Sequence, residues 1–232
     1  MGQPDSVVRL SLQSVEAAAP ILTQVGSDWL SPSESGRYQT LRSTSRRLQF
    51  LAARYWTRHC LHTWLGGAWQ DYALTAADNS PPGLIAGPAG ADWPEVKVSI
   101  SHSGDWVACA LAYQAVGVDV QCTRKVRDIP ALSAWIDPEL NLAEFQSTPI
   151  SEQADWFYAQ WTLREAWVKQ VSTAKLAGEV PPRFAACTAQ EAEAIVMAQA
   201  GLVWGVYPAT AQSLQWLSPA LHPNHCSYWR RA

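Results

Sequence analysis

The chain has 232 residues, 48% apolar and 16% charged, with a formal net charge of −3 from 17 basic and 20 acidic side chains. This composition excludes a disordered chain, its mild acidity argues against a general nucleic-acid binder, and the length is enough to bury a substantial core. The cysteines (Cys60, Cys109, Cys122, Cys187 and Cys226) are odd in number and scattered, with no C-x-x-C, so a reducing cytoplasm fits better than a disulfide framework or zinc knuckle. No apolar run reaches the about 18 residues of a membrane span, and residues 1–16 lack a signal-peptide pattern, so no membrane contact is expected.

Residues 6–14, SVVRLSLQS, alternate and predict a strand. SPSESG (31–36) reads as a loop with capping residues. From Arg37 onward the pattern is helical, broken or continuous, and it stops at Gly66-Gly67. Six arginines (Arg37, Arg42, Arg46, Arg47, Arg54, Arg58) fall in this segment with no acid between them. A local cationic segment on an acidic protein suits a compact anion better than a long polyanion. On a helical wheel Arg47, Arg54 and Arg58 share a face with Phe50, Leu51 and Leu61, so their stems are expected to be partly buried.

Residues 76–95 are rich in Pro and Gly and predict a long loop. Strands are expected at about 96–101, 106–113 and 116–121. After turns and short helices, residues 151–172 give the clearest helix, with Ser151 as N-cap and Lys169 near its end. RFAACT, GLVWGVYP, SLQWLS and CSYWRR are candidate strands of the tail. The order strand, long helix, strands occurs twice. It predicts an α+β protein of two similar halves, 1–115 and 116–232, each a long helix on a small antiparallel sheet. The halves would be related by a pseudo-two-fold, with the site in the cleft between them.

Asp119 stands alone among valines in GVDVQ. Strand alternation puts it on one face with Gly117 and Gln121, opposite Val118 and Val120. A buried carboxylate needs a cationic partner or a metal. A structural pair with a buried arginine such as Arg54 and a metal-ligand role both remain open on these residues. In WTLREAWVK, Glu165 and Lys169 are at i,i+4, either an ordinary surface pair or, in so apolar a helix, part of a site. Asp and Glu oxygens suit Mg²⁺, which takes few carboxylates and completes its shell with water and phosphates.

In SISHS, Ser101 and His102 face opposite ways, so they cannot form a hydrolase pair, and no G-x-S-x-G elbow exists. A His at a strand end is a good phosphate donor, as are Ser hydroxyls; a structural His is the competing reading. His59, His62, His222 and His225 lack a Cys or acid at ligand spacing, so zinc is not expected. Walker A, G-x-G-x-x-G and H-E-x-x-H motifs are all absent.

Taken in order, SISHSGDWVACAL, VGVDV and FYAQWTLREAWVK resemble the 4'-phosphopantetheinyl transferase superfamily, and the length is similar to its Sfp-type branch of monomeric pseudo-dimers. The resemblance covers roughly residues 37–172. It implies transfer of the 4'-phosphopantetheine arm of coenzyme A to a serine of an apo acyl or peptidyl carrier protein, leaving adenosine 3',5'-bisphosphate. It implies Mg²⁺ on Asp119 and Glu165, with Glu165 also the base. Ser101 and His102 would lie at CoA phosphate, Lys169 at the pyrophosphate and leaving group, Arg37 at the nucleotide end, and Arg54 in a structural place. CoA and an apo carrier would be the partners of a cytoplasmic monomer. An acidic carrier would meet a basic patch, for which Arg124, Lys125 and Arg127 are candidates.

Two residues depart from the family pattern. Gln121 stands where a third acid is frequent, and GLIAGPAG lacks the lysine of a G-K-P motif, which implies either weaker CoA binding or compensation by Arg37 and Arg46. A non-catalytic CoA- or carrier-binding relative, or a small Mg²⁺-dependent phosphohydrolase, are the alternatives.

Overall fold

The computed structural model describes residues 6–77, 80–89, 95–124, 127–136, 145–171, 182–199, 201–217 and 225–232. Lys125 and His222 lie outside them. The first strand, β1 (Val8–Ser14), runs straight into helix α1 (Val15–Val25), whose N-terminus Ser14 caps by accepting from the Ala17 N–H. The predicted cationic helix is two helices. α2 (Pro32–Thr40) starts on a capping box in which Ser31 and Glu34 satisfy each other's backbone N–H groups. α3 (Thr44–Leu65) follows and ends at Gly66, which takes the positive φ of 83° that a side chain would strain.

A short hairpin follows, β2 (Ala73–Leu74) with β3 (Leu84–Ala86), so part of the expected loop is paired. β4 (Lys97–Ser103), β5 (Trp106–Ala112) and β6 (Gly117–Cys122) lie within a residue or two of their expected places. α4 (Ile129–Ile136) is short. α5 (Gln153–Val171) is the predicted long helix, beginning two residues after Ser151. The tail gives β7 (Phe184–Ala186), β8 (Ala194–Gln199), β9 (Leu202–Tyr207), β10 (Leu214–Trp216) and β11 (His225–Arg231).

The protein is α+β. One sheet has the order β10-β1-β5-β4 and the other β6-β9-β8-β11-β7. The period-2 pattern of each strand explains the layering. On β5, Val107, Cys109 and Leu111 face α3, whereas Ala108, Ala110 and Ala112 face the second sheet. Val118 and Val120 of β6 enter that same inner core with Leu10, Leu12, Trp204 and Val206, and all of them are buried. α5 covers the outer face of the second sheet through Phe157, Leu163, Ala166 and Trp167. The layers therefore run helix, sheet, sheet, helix. The division at residue 115 is not clean, because β10 from the second half pairs in parallel with β1, Val8 opposite Leu214.

Candidate active site

Two features bring the site together, and both follow from small side chains. The first is a row of serines. Ser99, Ser101 and Ser103 alternate along β4, so they share one face, and each hydroxyl accepts an N–H from β6: Val118 at 3.0 Å, Val120 at 3.3 Å and Cys122 at 2.9 Å. β6 is the edge of its sheet, and these N–H groups point away from β9. The hydroxyls satisfy donors that an edge strand would leave open. The SISHS motif is thus a seam on its serine face, while His102 on the opposite face lines a cavity.

The second feature is a pair of glycines under α5. Gly117 and Gly205 lie on the face that α5 covers, and Gly205 pairs with Asp119. A Cβ on Gly117 would stand 1.7 Å from the Ala166 carbonyl oxygen, and one on Gly205 would stand 2.9 Å from Thr162 Oγ1. Only glycine lets the helix backbone come this close, and the close approach carries Glu165 and Lys169 down to Asp119.

Asp119 is 3% exposed and accepts three hydrogen bonds. Ser101 Oγ donates to Oδ1 at 2.7 Å, Lys169 Nζ to Oδ1 at 2.6 Å, and Gln121 Nε2 to Oδ2 at 2.9 Å. Lys169 Nζ also donates to the Val118 carbonyl at 3.1 Å. The cationic partner of Asp119 is therefore Lys169, fifty residues on, and not Arg54. The expected i,i+4 pair gives way to a contact between helix and strand. Ser101, expected at a CoA phosphate, instead spends its hydroxyl on Asp119 and the Val120 N–H.

Glu165 sits one turn before Lys169. Burial, and then the nearby Asp119 carboxylate, push its carboxyl above the usual range, against the opposing pull of Lys169 and Arg164. Such a carboxylate is a stronger base than an exposed one.

On the other face of β4 lies a cavity of about 270 Å³, whose walls include Arg37 of α2, Arg46 and Arg54 of α3, and His102. No carboxylate is among its described lining residues. Arg46 Nη1 lies 3.4 Å from His102 Nδ1. Arginine can only donate, so Nδ1 accepts and the ring proton sits on Nε2. Burial first, then Arg46 and Lys169, push the His102 pKa below its ordinary value, so the ring is a neutral donor at neutral pH. A second cavity, about 340 Å³, shares Pro82 with the first and has Lys169 in its wall. The structure thus brings Arg37, Arg46 and His102 together in one cavity and Asp119, Glu165 and Lys169 in one cluster beside it.

Sequence reasoning missed the serine row, the glycine pair and Arg54 as a cavity wall. The alternation of Ser99, Ser101 and Ser103 was a readable signal for the first. Among the described residues, no group of three His, Cys, Asp or Glu side chains is placed to hold a metal, and no helix is long and apolar enough to cross a membrane. All five cysteines are free thiols.

Residues 115–205, which hold Asp119, Glu165 and Lys169, match the 4'-phosphopantetheinyl transferase superfamily, and this segment carries its sequence pattern. The chain is similar to 4'-phosphopantetheinyl transferase Sfp of Bacillus subtilis (strain 168), 33% identical over 79 residues, which are 34% of this chain and 34% of that one. It is also similar to 4'-phosphopantetheinyl transferase gsp of Aneurinibacillus migulanus, 29% identical over 77 residues, 33% of this chain and 32% of that one. The match spans about a third of the length of these relatives. Among solved structures, the holo-[acyl-carrier-protein] synthase of Neisseria meningitidis aligns with 46% of this chain and 97% of its own, at 17% identity and a TM-score of 0.37.

Proposed function

We propose that the protein transfers the 4'-phosphopantetheine group of coenzyme A to a serine of an apo acyl or peptidyl carrier protein, leaving holo carrier and adenosine 3',5'-bisphosphate. The observation that carries this reading is the adjacency of two unlike parts. A cavity walled by Arg37, Arg46 and His102 suits the phosphates of a nucleotide, and the Asp119–Glu165–Lys169 cluster beside it suits transfer chemistry. The sequence similarity of residues 115–205 supports the same reaction.

The chain's own residues divide the work. Arg37 and Arg46 hold the nucleotide end by charge. His102, neutral, donates from Nε2 to a phosphate oxygen. Glu165 takes the proton of the carrier serine, directly or through a water, as the serine oxygen bonds to the β-phosphorus. The bond from that phosphorus to the bridging oxygen breaks, and the adenosine bisphosphate leaves with its electron pair. Lys169, held on Asp119 and partly exposed, is the cation that neutralises that oxygen.

Mg²⁺ fits the donor set. Asp119 and Glu165 supply carboxylate oxygens, and Gln121, which turns its NH₂ to Asp119, leaves an amide oxygen as a weaker third donor. When bound, the ion would supply Lewis-acid neutralisation of the pyrophosphate. The same reading makes the protein a cytoplasmic monomer of two halves meeting near residue 115, since one chain carries both the cationic cavity of the first half and the carboxylate cluster of the second. It leaves Arg124 and Arg127 as the described part of a carrier-docking patch.

Intact mass of an apo carrier protein incubated with this protein, CoA and Mg²⁺ tests the proposal. A gain of one phosphopantetheine, lost with EDTA and with Asp119→Ala, is the expected result. No gain with carriers of several classes would overturn it, and release of inorganic phosphate without a carrier would point to a phosphohydrolase.

A further inference from the structure

We propose that Lys169 and a divalent cation compete for Asp119, so that the metal binds tightly only together with a phosphate ligand that draws the ammonium away. The inference rests on the transfer reading above and adds to it an order of assembly, set by this chain's own side chains.

Both oxygens of Asp119 already have partners. Oδ1 takes Ser101 Oγ at 2.7 Å and Lys169 Nζ at 2.6 Å, and Oδ2 takes Gln121 Nε2 at 2.9 Å. A carboxylate oxygen has two lone pairs, and on Oδ1 both are used. Mg²⁺ needs a bare lone pair at about 2.1 Å, so it can take Oδ1 only where Lys169 lets go. Oδ2 keeps one lone pair, but a dication there would still share the carboxylate with an ammonium, and the two cations repel. With Asp119 only 3% exposed, solvent screens that repulsion little.

Gln121 sharpens the competition. An acid at this place would offer the metal another negative charge, whereas the amide donates to Asp119 and adds none. Asp119, Glu165 and Lys169 together leave a single negative charge for a dication. Glu165 senses both neighbours, since Asp119 pushes its carboxyl up and Lys169 pulls it down.

Lys169 has another partner within reach. Its side chain is 27% exposed and borders the cavity of about 340 Å³. Its charge also acts on His102, which lines the cationic cavity on the other side. A phosphate seated against His102 therefore lies in the field of Lys169. A lysine is a point charge on a flexible stem, suited to exchanging one oxygen for another. The exchange frees Oδ1 for the metal as the anion's charge meets the ammonium. Such coupling is reciprocal: the anion raises metal affinity, and the metal raises anion affinity by the same factor.

The test titrates Mn²⁺ into the whole protein, with and without CoA, and reads the free ion by electron paramagnetic resonance. Wild type is set beside Lys169→Met, Lys169→Gln and a double variant carrying Lys169→Met and Asp119→Asn, with a thermal melt of each. Without CoA, both single variants should bind Mn²⁺ about tenfold tighter than wild type, and the double variant should lose that gain. CoA should raise Mn²⁺ affinity by a larger factor in wild type than in Lys169→Met, because only wild type has an ammonium to move. Lys169→Gln keeps a donor without the charge and serves where Met leaves Asp119 too poorly satisfied to fold. Mn²⁺ affinity unchanged or weaker in the folded variants, or melts lost in both, would overturn the proposal and make the Lys169–Asp119 pair a structural one. Tighter Mn²⁺ binding in the variants, with no effect of CoA on any protein, would keep the competition and overturn the CoA reading instead.

Discussion

Glu34 and Asp119 are both buried carboxylates, and the protein treats them in opposite ways. Glu34 is sealed by the rigid fork of Arg58, 0% exposed, with the Ser31 N–H of its own capping box and, at 3.6 Å, Arg54 Nε as its further polar neighbours. Asp119 is held by groups that can let go: a serine hydroxyl, a side-chain amide, and Lys169, which is 27% exposed on a flexible stem. An arginine fork fixes geometry, whereas a half-exposed lysine can trade its partner for a phosphate. Burial alone therefore does not separate a structural acid from a working one; the mobility of its partners does.

The comparison can be broken first at Glu34. Glu34→Gln leaves two buried guanidiniums without a counter-charge and is expected to cost about 3–5 kcal/mol, read by chemical denaturation. A loss below about 1 kcal/mol would place Glu34 in the same class as Asp119. Next, Gly117→Ala forces α5 off β6 and should cost about 1–3 kcal/mol, with a parallel loss of transfer as Lys169 moves away from Asp119. Asp119→Asn is the sharpest contrast with Glu34. Its stability change is expected to stay within about 1 kcal/mol, because the freed Lys169 reaches water, while transfer falls by about a hundredfold or more.

The smallest effect is on pH. His102 has a lowered pKa in the fold, so between that value and the ordinary value of about 6.5 the unfolded chain binds more protons. Stability is full above that ordinary value and falls as pH drops through this window. His102→Asn should flatten the change in melting temperature between pH 7.5 and pH 5.5, by under about 2 °C. Equal slopes for both proteins would show that His102 does not carry it.

Much of the site was legible where the residues obey a short period. The open face of Gly117, Asp119 and Gln121 follows from strand alternation, and the long helix with Glu165 and Lys169 follows from its pattern. What stayed hidden depends on contacts far apart in sequence. Lys169 lies four residues from Glu165, so local spacing favoured that pair, and only the close approach allowed by Gly117 and Gly205 brings it to Asp119. Arg54 and Arg58 look alike on a helical wheel, and Glu34, on a different helix, is what tells them apart. Ser101 read as a ligand contact because hydroxyls are good phosphate donors, and only the fold shows its hydroxyl engaged with Asp119 and the Val120 N–H. α1 was not foreseen, since its sequence directly continues a strand.

The parallel partnership of β1 and β10 has a consequence for how the chain reaches this state. β1 obtains its second neighbour only when β10, far along the chain, is in place. Until then one edge of the first sheet stays open, and its inner face lacks the valines of β6 and the strands behind them. Closure of a contact between segments so far apart in sequence makes folding slow, and couples the two halves rather than letting each fold alone. Severing residues 210–217 from the rest should therefore unsettle the cationic cavity of the first half, although none of those residues touches it.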